Sequence, residues 1–151
     1  MPFDRNLLEA KLALNLIASR DMPTVAWDAL EAGLDGGATR RLAALEHPTY
    51  FEVAEVLPHV LLELGLSTIS IREAALRMAA RMAQDILHSG VDPLPHLREL
   101  ERLWIRADYA QEISSLGTLD DEVWIAHSAG QQESHIREWV TSRLNDFCSS
   151  R

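Results

Sequence analysis

"SIREAALRMAARMAQDILHSG", Ser70 to Gly90, decides the fold class. Ser70 and Glu73 stand at the spacing of a capping box, in which the two side chains satisfy backbone N–H groups left open at a helix start. At about 100° per residue, Arg77, Arg81, Gln84 and Asp85 share a narrow polar sector. Ile71, Ala75, Met78, Ala79, Met82 and Ile86 fill the opposite side. So wide an apolar face needs neighbours, and its alanines let them approach closely. The stretch therefore reads as the central helix of an all-α fold, over about residues 70–88.

Outward from it, helical periods recur and strand alternation does not. Helices are expected over about Asp4–Ser19, Pro23–Ala32, Ala38–Leu45 and Tyr50–Leu64, the last bent at Pro58 or broken there into two. Beyond the central helix, Asp92 and Pro93 suit the cap and first position of a helix running to Ala107. A further segment lies around Ala110–Leu116, and Thr118 with Asp121 suggests the cap of another. The last helix is about Gln131–Phe147, preceded by "SAGQQES" as a mobile loop. The whole reads as one domain over residues 1–151, a bundle of seven or eight helices with residues 148–151 as a frayed tail. Stacked helical hairpins are a second arrangement of the same helices.

"EAGLD", "ELGLS" and "HSGVD" each place a glycine after a helix and an apolar residue next. That is a Schellman stop, with the glycine left-handed and the apolar side chain folded back on the last turn. Gly33, Gly65 and Gly90 are too unevenly spaced to establish a repeat.

"AGLDGGATRR" (Ala32–Arg41) invites a helix-turn-helix reading. Against it, Thr39 falls where a core residue is wanted, and Gly36 and Gly37 make a poor start for a rigid reading helix. As a phosphate loop it lacks the lysine and hydroxyl pair that such loops carry. The net charge of −9, with 14 basic residues against 23 acidic, also disfavours nucleic acid and anionic lipid. It suits a basic protein partner, or simply solubility.

Cys148 is the sole cysteine, so no intrachain disulfide forms and a reducing compartment is expected. The amino end is broken by Glu9, Lys11 and Asn15 and reads as an amphipathic helix, not an export signal. No run is long enough for a membrane span. A cytoplasmic protein is expected.

No residue set has the pattern of a catalytic centre, and no cofactor motif is present. His127, Glu133 and His135 cluster in sequence, which offers a metal-binding or enzymatic alternative. More suggestive are Arg98, Arg102 and Arg106, in one line along a helix, beside an apolar seam of Leu97, Leu100, Leu103 and Trp104. Arginine beside an aromatic is the chemistry of interface hot spots, so Arg98, Arg102, Trp104 and Arg106 form a candidate docking strip. The tryptophans Trp27, Trp104, Trp124 and Trp139 are expected mostly in the core, and one exposed beside the strip would favour a partner surface.

The run "ALEAGLDGGATRRLAAL", with "TYFEV", "LLELGL", "RMAQDILHSGVDP" and "LDDEVW", resembles a widespread family of small uncharacterised bacterial all-helical proteins. In that family Ser-Pro usually stands where this chain has Gly36 and Gly37. The resemblance spans about Ala26–Val123, implies an all-α cytosolic fold and implies no activity. The expected function is a protein-interaction or adaptor module, in one version an immunity-type protein that neutralises a basic toxin. Self-association is a further expectation.

Overall fold

The computed structural model describes residues 3–151, in which every regular element is a helix. Contacts divide the chain into two compact units, one ending at Ile69 and the other spanning Ser70–Arg151. The all-α reading holds. Among the described residues no helix is long and apolar enough to cross a membrane.

In the first unit, α1 (Arg5–Ala13) starts where Asp4 accepts the Leu7 N–H at 3.1 Å. It stops well short of Ser19, because Asn15 turns left-handed (φ 55°) and the Leu16 N–H closes on the Lys11 carbonyl at 2.9 Å. This is a Schellman stop built on asparagine, which tolerates that conformation through its short polar side chain. A tight turn, Ser19–Asp21, leads into α2 (Met22–Glu31). Gly33 (φ 87°) ends α2 as expected, and the Leu34 N–H reaches the Ala29 carbonyl at 3.0 Å.

The short α3 (Gly37–Ala43) lies between α2 and α4 (Tyr50–Leu64). Ala26, Ala29, Leu42, Val53, Val56, Val60 and Leu64 form the heart of this unit's core. A reciprocal capping box opens α4: Thr49 accepts the Glu52 N–H at 3.2 Å, and Glu52 accepts the Thr49 N–H at 3.1 Å. The helix then runs unbroken through Pro58, so the two-helix alternative falls. Pro58 lies on the exposed side, where the carbonyl deprived of its donor can turn to water.

In the second unit, α5 (Ile71–Ser89) packs against α6 (Leu97–Arg106), α7 (Gln111–Gly117) and α9 (Glu133–Ser149), while the short α7 touches every other helix of that unit. The buried face of α5 is Ala74, Ala75, Ala79, Ala83 and Ile86, while Ile71 is exposed at the helix start. Ser70 accepts the Glu73 N–H at 3.1 Å, but Glu73 accepts from Arg77 at 3.1 Å, so only half of the expected box forms.

Two further caps differ from expectation. Asp92 accepts the Leu94 N–H at 3.2 Å and takes both arms of Arg137, at 3.0 and 3.1 Å. A tight turn at Leu94–His96 therefore precedes α6. Thr118 does not cap α8 (Leu119–Ser128); its single hydroxyl proton is shared between the Ser114 carbonyl at 3.0 Å and Glu122 at 2.8 Å. Glu122 in turn receives both arms of Arg143, at 2.9 and 3.0 Å, which ties α8 to α9.

Residues 129–132 form a close turn where a mobile loop was expected, the Gln131 N–H meeting the Ala126 carbonyl at 3.0 Å. The last helix runs through Cys148 to Ser149.

Candidate partner-binding surfaces

The opening residues of α3 are where a DNA-reading helix or a phosphate loop would take its ligand. Here the Glu63 carboxylate, from α4, already accepts the Ala38 and Thr39 N–H groups, each at 2.8 Å. Those two N–H donations, from Ala38 and then Thr39, hold the Glu63 carboxyl below its ordinary range, so it is anionic at neutral pH. A fixed negative charge at that position repels phosphate. Arg40, beside it, pairs with Asp35 at 3.1 Å.

His127 lies 3.5 Å from Glu133, and Glu133 also takes Arg137 at 2.9 Å. His135 is exposed. Among the described residues, no three His, Cys, Asp or Glu side chains gather into a metal-ligand set. Burial pushes the Cys148 thiol up, which leaves it a poor nucleophile.

Of the docking strip on α6, the structure keeps the arginines together and separates the tryptophan. Arg98, Arg102 and Arg106 are all exposed. Arg98 meets Asp120 of α8 only at 4.0 Å, and no ion pair joins Arg102 or Arg106 to any other described residue. Trp104 points away from them. Its ring packs on Gly117, meets the Tyr109 ring edge-on at 5.0 Å, and buries its N–H without an acceptor. Helix geometry explains the parting, since Trp104 stands some 120° or more around the helix from every arginine.

Nor are the tryptophans core anchors. None is fully buried, and Trp124 on α8 is 71% exposed. It stands one turn beyond Asp120, on the side of α8 that Arg98 faces. Trp124, not Trp104, is thus the exposed aromatic on the helix that Arg98 meets.

A second surface, on the first unit, went unmarked in the sequence reading. Phe51, Glu55, Pro58 and Leu62 fall within about 60° of one another around α4. All four are exposed, Phe51 to 80% and Leu62 to 81%. Spacings of four, three and four make this the stripe by which a helix receives another helix. Beside it Tyr50, Ala54, Leu57 and Leu61 form one wall of an apolar cavity of about 310 Å³, which Leu12 and Ile17 line from the other side.

The signal was present in the sequence. Val53, Val56, Val60 and Leu64 already complete an inward face of α4, with Leu57 at its edge, so Phe51 and Leu62 had no core to enter. Moreover, Tyr50–Leu64 contains neither lysine nor arginine.

Comparison with protein-family models, with curated proteins and with solved structures returned no match. The functional reading therefore rests on these surfaces.

Proposed function

We propose that the chain is a cytoplasmic protein-interaction module whose partner is basic. The observation that carries this reading is the outer face of α4, where Phe51 and Leu62 stand almost fully exposed on a helix without lysine or arginine. Large apolar side chains held in water cost free energy, and clustered in one stripe they mark a surface that a partner covers. Glu55 within the stripe, and a first unit with ten acidic residues against five basic, supply the electrostatic half. Complementary charge steers encounter and fixes register more than it adds affinity. An immunity-type protein that neutralises a basic toxin is one form of such a module.

The test is capture of partners from the source cell by the whole chain at low and high salt. A basic protein retained at low salt, released at high salt and lost with Phe51→Ser/Leu62→Ser supports the reading. No specific partner at low salt refutes it. Sedimentation in parallel separates a foreign partner from a second copy of this chain.

A further inference from the structure

Resting on that reading, we propose that the partner element seated on α4 is a basic amphipathic helix, laid along the stripe from Phe51 to Leu62 with a lysine or arginine opposite Glu55. The stripe runs eleven residues, about 16 Å at the rise of an α-helix. That is three turns, enough to receive three turns of another helix with anchors at matching intervals. A near-parallel crossing of about 20° keeps such stripes in register over that length.

Charge selects the occupant. Glu55 sits within the apolar stripe, and a helix docked on Phe51, Pro58 and Leu62 covers it. A carboxylate covered without a cation loses its hydration and gains nothing in return. Its near neighbours on α4 offer no permanent cation: Glu52 is bound to its own capping box, Glu63 to the start of α3, Tyr50–Leu64 contains no lysine or arginine, and its single histidine, His59, one turn on from Glu55, is an imidazole rather than a fixed charge. A permanent positive charge must come from the partner.

The same argument disfavours a second copy. An antiparallel α4 pair centred on the stripe sets Phe51 against Leu62 and Glu55 against Pro58, which covers two carboxylates with no cation. A parallel pair sets Glu55 against Glu55.

The adjoining cavity adds an anchor. Its wall of Tyr50, Ala54, Leu57 and Leu61 continues directly from the stripe around α4. A large apolar side chain from the flank of the docked helix fits there without displacing the core.

The experiment is selection from a phage-displayed library of amphipathic helical peptides on the whole chain, with hits remeasured as free peptides by fluorescence anisotropy. Enriched sequences should carry lysine or arginine between apolar anchors at intervals of four, three and four. Glu55→Lys should weaken them at least tenfold, and exchanging their central basic residue for glutamate should restore binding to that variant. Phe51→Ser/Leu62→Ser should weaken both peptide types. All three positions are exposed, so thermal melts should stay near that of the parent chain.

Enriched peptides without a basic residue, peptides indifferent to Glu55→Lys, or no enrichment at all overturn the proposal. So does a dimer that Phe51→Ser dissolves. A natural basic partner captured equally by wild type and Glu55→Lys overturns the assignment to α4 while leaving the interaction module standing.

Discussion

Glu63 and Thr39 hold each other across two helices: one carboxylate oxygen accepts the Thr39 N–H at 2.8 Å and its hydroxyl at 2.9 Å. The other oxygen takes the Ala38 N–H. The start of α3 thus gains the cap that Gly36 has no side chain to give. It also explains a fully buried threonine in an otherwise apolar core, since each of its polar groups is paired.

The cap predicts a pH dependence. The Ala38 and then the Thr39 N–H donations lower the Glu63 pKa in the fold, so its contribution is complete above the ordinary value of 4.5 and is lost as pH falls through the lower folded value. Glu63→Gln presents an amide NH₂ to a backbone donor and loses half of the cap. Urea midpoints should place the variant below wild type at pH 7, with the gap closing on acidification towards pH 3. A gap that widens in acid would contradict the assignment.

Gly36 is required by space, not by backbone angle. Its φ of −176° is open to any residue, but a Cβ built there overlaps the Glu63 carboxylate. Gly36→Ala should therefore push Glu63 off α3 and lower the melting midpoint by about 4 °C. In a Glu63→Ala background the same change should have almost no further effect, because the two substitutions break one interaction. Additive midpoint shifts would rule this out.

How much of this could be read from the chain follows from range. Local signals were legible: Gly33, Gly65 and Gly90 are all left-handed helix stops, and α4 was bounded correctly. Where two local partners compete, sequence could not choose. Glu73 faces both its own helix start and Arg77, and the arginine takes it, whereas Glu52 has no such rival on its helix and completes its box. Asn15 and Asp108 stop helices by a conformation that side chains other than glycine seldom adopt, so spacing gave no sign of them. The Glu63 cap joins residues 24 and 25 positions apart, which only folding brings together. The α4 stripe was legible in principle, because the apolar residues of Tyr50–Leu64 are more than one helix face can hold.

His47 offers a stabilising test. It is exposed, with φ of 46°, immediately before Pro48. A side chain with a Cβ pays for that conformation and glycine does not. His47→Gly should raise stability by about 0.5 kcal/mol, the relief of strain being partly offset by a freer unfolded chain. Chemical denaturation at pH 7 would show it as a higher midpoint with an unchanged slope; a lower midpoint would mean that the imidazole holds the connector.

Gly117, at the end of α7, is the seat of Trp104. A Cβ there overlaps the indole, whose other edge is held by the Tyr109 ring. Unlike the carboxylate end of Glu63 beside Gly36, the atoms met here are Cβ, Cγ and Cδ2 of Trp104, the root of the side chain, which cannot swing aside without moving the whole indole. Gly117→Ala should therefore cost about 1–3 kcal/mol as overpacking, despite the better helix propensity of alanine. Trp104→Ala removes the ring, with the Cγ and Cδ2 atoms that the new Cβ would meet, and the unsatisfied donor, so Gly117→Ala should be tolerated better in that background. Thermal melts of the two single variants and the double variant decide the matter. A double variant less stable than the sum of the singles would show that Gly117 is required for a reason other than the indole.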